Sequence, residues 1–230
     1  FPYTTLFRSP TPFSQTHNLT FQGGNRQTSY TANINYRNWE GMFLKSVNRQ
    51  LTLRADVNHS MFDGKVKVNL NIVSRQRNDD GEFNSYVYRQ SVIRNPTDSV
   101  YDYRGNWKER NIYFYDNPLA YLMETNARNE VQETRLSGSV TANLAKGLNA
   151  KLLLASVTSE FLTGFAETKK HVSTTKNGRN GNASRSSGAN KDNLMEFTLD
   201  YTKSFGDHRL VALADRKSTR LNSSHLGISR

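Results

Sequence analysis

No cysteine occurs in the 230 residues, so neither a disulfide framework nor a thiolate metal site can form. No stretch approaches the roughly 20 consecutive apolar residues of a membrane-spanning helix. That excludes helical membrane proteins but not barrels, whose alternating strands score as hydrophilic; the mean hydropathy is −0.74. His17, His59, His171 and His208 lie far apart, without metal-ligand spacing. No G-x-S-x-G elbow and no phosphate-cradling G-x-x-x-x-G-K-[ST] run is present. NDDGE at 78–82 lacks the spacing and the bidentate Glu of a calcium loop and reads as a solvated strand exit. No catalytic constellation emerges, so no enzyme activity, cofactor or metal is expected.

Strong charge of one sign is also weaker than it looks. The formal charge of +11 invites a nucleic-acid partner. Yet FPYTTLFRS at the start and RKSTRLNSSHLGISR at the end lack periodicity and resemble translated sequencing-adapter sequence. Residues 1–10 and 216–230 are therefore expected to be non-native and to make few contacts, with 11–215 as the native part. Without Arg8, Arg216, Lys217, Arg220 and Arg230, 26 basic residues face 20 acidic ones, a charge of about +6. No basic helix or RNP-like motif accompanies it, and no nucleic-acid partner is expected. With no initiator Met and no signal peptide, an internal segment is expected.

What the chain has is alternation. Tyr30, Ala32, Ile34 and Tyr36 alternate with Thr31, Asn33, Asn35 and Arg37. Leu51, Leu53, Ala55 and Val57, then Val66, Val68, Leu70 and Ile72, repeat the pattern against polar neighbours. So do Leu136, Gly138, Val140, Ala142 and Leu144, and Met195, Phe197, Leu199 and Tyr201. With Leu19–Phe21, a noisier stretch at 149–163 where LLLASV is nearly continuous, and a short one at 208–214, this gives eight candidate strands, most with one apolar and one polar face. The connections alternate strictly. GGNRQ (23–27), FDGK (62–65), AKGLN (145–149) and SFGDH (204–208) are short turns, whereas 38–47, 78–130 and 168–192 are long loops. A soluble sandwich requires no such alternation; an outer-membrane barrel has short periplasmic turns and long extracellular loops. The fold expected is all-β, an antiparallel up-and-down meander forming part of a transmembrane barrel. Tyr30, Tyr36, Trp39, Tyr201 and Phe205 are candidates for its interfacial girdles. The loop KNGRNGNASRSSG (176–188) reads as mobile.

HNLTFQGGNRQTSYTANINYRNWEGMF, with NPTDSVYDYRGNW (95–107) and NPLAYL (117–122), resembles the opening barrel segment of SusC/RagA-like TonB-dependent outer-membrane transporters. The departure is Trp39 before Glu40-Gly41, where an Asp-Gln-Glu-Gly run is common. The resemblance covers roughly 14–214. It implies a barrel of about 22 strands, of which this chain holds an internal run without the plug or the TonB-contacting region. It further implies import of oligosaccharides or peptides, energy from TonB, a SusD-like surface lipoprotein as partner, outer-membrane lipid around the barrel, and a Gram-negative outer-membrane location. A passive channel or adhesin barrel and a soluble carbohydrate-binding β-sandwich stand as alternatives.

Within the 78–130 loop, Tyr101, Tyr103, Trp107, Tyr113 and Tyr115 sit among Arg, Asp and Asn. Aromatic faces with polar neighbours suit sugar rings or peptide side chains. The same rings would equally serve contact with a partner lipoprotein or the loop's own small core.

Overall fold

The computed structural model describes residues 8–81, 85–110, 112 and 115–229, the last nine through their backbone alone. Eight strands form one sheet in sequence order, each antiparallel to the next. They are β1 (Ser14–Gly24), β2 (Thr28–Glu40), β3 (Val47–Met61), β4 (Val66–Asp80), β5 (Thr125–Ala145), β6 (Leu148–Glu167), β7 (Asn182–Phe205) and β8 (His208–Ser229). No second sheet packs on this one among the described residues, which removes the sandwich alternative. Three helices, α1 (Ser85–Ile93), α2 (Pro118–Glu124) and α3 (Val172–Lys176), lie in the long connections at one end.

The short turns are locally determined. Asn25 accepts the Gln27 and Thr28 amides at 2.8 Å each through its side-chain oxygen, closing β1–β2. At β5–β6, Gly147 has φ +82°, and a Cβ there would lie 2.1 Å from the Thr202 carbonyl. Only glycine fits both demands. In the Gly-Gly run, Gly23 pairs with Tyr30, whose ring covers the space a side chain would need.

The register aligns the apolar faces. Leu19 pairs with Ile34, Ile34 with Leu53, Val57 with Leu70, Val68 with Val140, Val140 with Leu152, and Leu152 with Phe197. The resulting band does not run straight across the sheet. Tyr36 and Leu51, its limits toward the loop end on β2 and β3, are paired. Leu51 pairs with Gln76, but the limit on β4 is Ile72, four residues lower. Ile72 pairs with Leu136, the limit on β5. Leu136 pairs with Ser156, whereas the limit on β6 is Leu154, two residues lower and paired with Met195 on β7. The band slips about six residues in five strand-to-strand steps. At ~3.3 Å per residue and ~4.8 Å per strand, that is a slope of about 40°. Strands of a closed membrane barrel incline to the barrel axis by about this angle.

No core lies under the sheet. Leu70, Leu136 and Leu154 are half exposed on the band, at 52%, 53% and 50%. The buried apolar residues among the described ones sit instead in the loops: Phe43, Val87, Val100, Leu119, Ala120, Leu122 and Val172. The opposite sheet face is a polar lattice. Asn33 donates to Thr20 at 2.7 Å, Asn69 to Asn58 at 2.7 Å, Arg54 pairs with Asp56 at 2.8 Å, and Glu133 receives Arg75 at 2.7 Å.

Several expectations change. β5, β6 and β7 run 21, 20 and 24 residues, well past the roughly 9–11 that cross a bilayer. Residues 125–130 and 182–192 belong to strands rather than loops, and three helices were not anticipated. Trp39 shares a face with Arg37, whose guanidinium lies 3.6 Å from its ring centroid, so it sits on the polar face and not in an apolar girdle. Residues 216–229 are strand-paired to β7 rather than free of contacts. Residues 1–7 lie outside the described residues, while Arg8 bridges Phe43.

Candidate functional site

The three long connections, 41–46, 81–124 and 168–181, converge into one cap at the loop end. Asn117 organises its centre. It is fully buried and caps α2, accepting from the Leu119 and Ala120 amides at 3.2 and 3.3 Å. Its own amide donates to Glu109 at 2.9 Å, and its Nδ2 donates to the Val100 carbonyl at 2.9 Å. The sequence signal was present: Asn-Pro before an apolar run is a helix start, with Pro118 in the first turn.

A small hairpin stands beside α2. Tyr101 and Trp107 form its bridge and stack with centroids 4.8 Å apart. The Asp102 carboxylate accepts the Asn106 and Arg104 amides at 2.9 and 2.8 Å, which holds it below the usual carboxylate range. Trp107 packs against Val100 and Leu119, and its Nε1 donates to Glu124 at 2.7 Å. Burial works against a charge on Glu124, but the donors Thr168 and Trp107 outweigh it and keep the carboxyl low. Through Glu124 the hairpin is thus linked to Thr168 at the base of the 168–181 connection.

On the other side of α2, Phe43, Val87 and Leu122 form a core with Tyr121 against it. Buried His171 meets Tyr121 edge-on at 4.5 Å and caps α3, its Nδ1 accepting the Ser173 amide at 3.1 Å. Burial holds the imidazole below its ordinary pKa, against the pull of Glu167, Asp116 and Glu124. Asp116 receives Lys176 at 2.6 Å and the Tyr86 hydroxyl. Burial, then the Asp116 bond, raise the Tyr86 phenol. Lys45 reaches from the first connection to carbonyls of Met123 and Thr125.

The aromatic residues singled out from sequence therefore divide. Tyr101 and Trp107 are brought together as a brace. Tyr103 stands at the hairpin tip, 88% exposed, with the Arg104 guanidinium 5.1 Å from its ring. Tyr115 is separate: its hydroxyl accepts the Asn95 amide at 2.9 Å, and Arg94 and Arg110 lie 5.8 and 5.7 Å from its ring. Tyr113 lies outside the described residues. His171, Asn117, Glu109 and Gln90, which knit the cap, were not singled out. Gln90 accepts the Asp116 amide at 2.9 Å. Among the described residues no group of His, Asp and Glu is placed to hold a metal. Ser173 Oγ lies 2.9 Å from His171 Nδ1 and donates to Glu167 at 2.6 Å, a set that closes the start of α3. The cap can bind and brace.

No family model matches the chain, and no curated protein matches it. Solved structures do. The chain superposes on the RagAB peptide importer in its 'closed-closed' state with a TM-score of 0.77 at 17% identity, over 99% of this chain and 26% of that one. The RagAB peptide transporter and the 'open-open' importer each give 0.78 at 17%, with the same coverage. The fold is thus that of a RagA-like barrel segment, at a distance in sequence. The chain spans about a quarter of the length of those neighbours. Those neighbours are described as a peptide importer and transporter, and the likeness is one of fold.

Proposed function

We propose that this chain is a wall segment of a TonB-dependent outer-membrane transporter that imports peptides or oligosaccharides with a SusD-like surface lipoprotein. The observation that carries the reading is the tilted apolar band. An exposed apolar face that slopes about 40° across six of the eight antiparallel strands suits a lipid-bounded barrel wall. The polar face then lines the lumen, and the cap stands outside the cell. The neighbours' peptide cargo favours peptides as substrate. TonB would act through a region outside this chain.

Of the five aromatic candidates, Tyr103 is the one to touch substrate or partner, while Trp107 braces. In the full-length transporter with its lipoprotein, Tyr103→Ala should weaken peptide binding or co-purification of the lipoprotein by about tenfold, the scale of one lost aromatic contact of ~1.4 kcal/mol. Trp107→Ala should instead raise hydrogen exchange across 100–108. Normal binding and normal co-purification in Tyr103→Ala would remove Tyr103 from the site. A passive channel is separated from this reading by uptake: import that survives loss of TonB fits the channel.

The proposal extends to residues 216–230 as non-native sequence. β8 pairs through them, but its register puts Arg216 opposite Phe197 on the apolar face, where the row otherwise reads Val68, Val140, Leu152 and Phe197. Arg on a lipid face costs about 2–4 kcal/mol near mid-bilayer. Sequencing the gene across codon 215 tests this; uninterrupted coding of RKSTRLNSS would contradict it.

A further inference from the structure

The apolar face of β4–β7 carries two troughs stacked along the strands, and neither the cap nor the transport reading uses them. The lower one, about 510 Å³, lies within the band around Gly138, lined by Leu70, Leu136, Leu154 and Met195, with Ser218 and Arg220 of β8 along its far side. The upper one, about 400 Å³, lies beyond the band toward the loop end, among Gln76, Gln132, Glu130 and Glu160, with Leu162 as an apolar neighbour. Between them the register sets the row Ser74–Thr134–Thr158–Lys191.

Lys191 is exposed and makes no ion pair among the described residues. Glu160 is its diagonal neighbour across the β6–β7 pair, one row higher. Glu130 is held by Arg128 at 2.6 Å. Just below Lys191, Ser156 donates to Asn193 at 2.9 Å, marking the edge of the apolar band. Along the strands the chemistry therefore runs apolar hollow, hydroxyls with a cation, then amides and carboxylates. Rows on one face are about 7 Å apart. This is the order and spacing of an amphiphile's parts: acyl chain, phosphate, sugar hydroxyls.

We propose that this ladder binds one phosphorylated glycolipid of the outer leaflet. Its acyl chain lies over Gly138, its phosphate meets the Lys191 ammonium in charge-assisted hydrogen bonds, and its sugar hydroxyls donate to Glu160 and exchange hydrogen bonds with Gln76 and Gln132. The proposal rests on the outer-membrane reading, since only then does this face meet lipid.

The test uses the full-length transporter in phosphatidylcholine vesicles doped with bisphosphorylated lipid A, with retained lipid counted by native mass spectrometry after extraction. One lipid A per chain should be retained, and dephosphorylated lipid A about tenfold less, the loss expected for one charge-assisted contact of ~1.4 kcal/mol. Lys191→Glu should show the same drop and Lys191→Arg should not; Gly138→Leu, which fills the hollow against the movable Leu70 side chain, should also lower retention. Inorganic phosphate should fail to displace the lipid. Equal retention of the two lipid A forms by the wild type, which needs no variant to fold, overturns the proposal. So does displacement by inorganic phosphate, or a second protein copy on this face in place of lipid. Failure of the wild type to insert into vesicles defeats the transporter reading instead, and is seen before lipid A is added.

Discussion

Val140 and Thr141 are adjacent in the chain and opposite in surroundings. Val140 sits between Val68 and Leu152 on the apolar face, and Thr141 between Lys67 and Lys151 on the polar one. Arg at Val140 should cost about 2–4 kcal/mol in lipid. Arg at Thr141 meets two like charges, a penalty of roughly 0.2–1 kcal/mol per cross-strand pair that water in the lumen reduces. Folding yield of the full-length transporter into vesicles should therefore fall far more for Val140→Arg than for Thr141→Arg; equal or reversed yields would mean the faces are wrongly assigned. In the cap, burial pushes the Glu109 carboxyl up to about 7, opposed by the Asn117 amide and Arg94. The folded state thus holds a proton that the unfolded chain gives up near its ordinary value. Stability from this group is full below about pH 4.5 and declines as pH rises toward 7. Backbone amides of 94–117, corrected for intrinsic exchange, should be better protected near pH 5 than near pH 8, and Glu109→Gln should flatten the difference. Greater protection at the higher pH would contradict this.

At the scale of elements, what was legible followed hydropathy. The strand segments within the band alternate with period two, and all of them form where the pattern put them. Beyond the band the signal vanishes because both faces turn polar. On β5, Arg128, Glu130, Gln132 and Thr134 lie on one side, and Asn129, Glu133 and Arg135, with Val131 as the one apolar residue, on the other. Nothing there distinguishes strand from loop, so 125–130 and 182–192 read as loops although the ladder continues through them. α1 was hidden for a different reason. SYVYRQSVI is rich in β-formers, and its helical state depends on burying Val87, Gln90 and Ser91 in the cap. α2 carried a start signal, Asn117-Pro118, that the strand reading passed over. Its cap is the most testable joint: Asn117→Ala removes the cap and one of the two donors to the Val100 carbonyl, while the backbone bond to Glu109 stays. Losing the cap alone costs about 0.5–2 kcal/mol. Proteolysis within 95–125 should accelerate while the barrel stays folded, and unchanged cleavage would show that Asn117 is not the organiser.

The whole molecule is a sheet whose buried residues lie at one end and whose apolar residues lie exposed across its middle. Such an arrangement is unstable in water, where an uncovered apolar face and two open sheet edges invite association. It becomes reasonable when lipid covers the band, neighbouring strands close the edges and water fills the polar side. Which aromatic ring meets a ligand was not readable from sequence, because a tyrosine that braces and a tyrosine that binds have the same local pattern. The structure tells the pair Tyr101–Trp107 from the tip Tyr103 by the stack and the Glu124 bond of the first and the exposure of the second. The membrane-facing claim is different, since it commits every second residue of a strand. This segment contributes no cysteine, so single cysteines at positions 68 to 73 of β4 in the full-length transporter can carry a fluorophore, with brominated lipid as quencher. Quenching should be strong at Val68, Leu70 and Ile72 and weak at Asn69, Asn71 and Val73; uniform quenching, or the opposite alternation, would contradict the account.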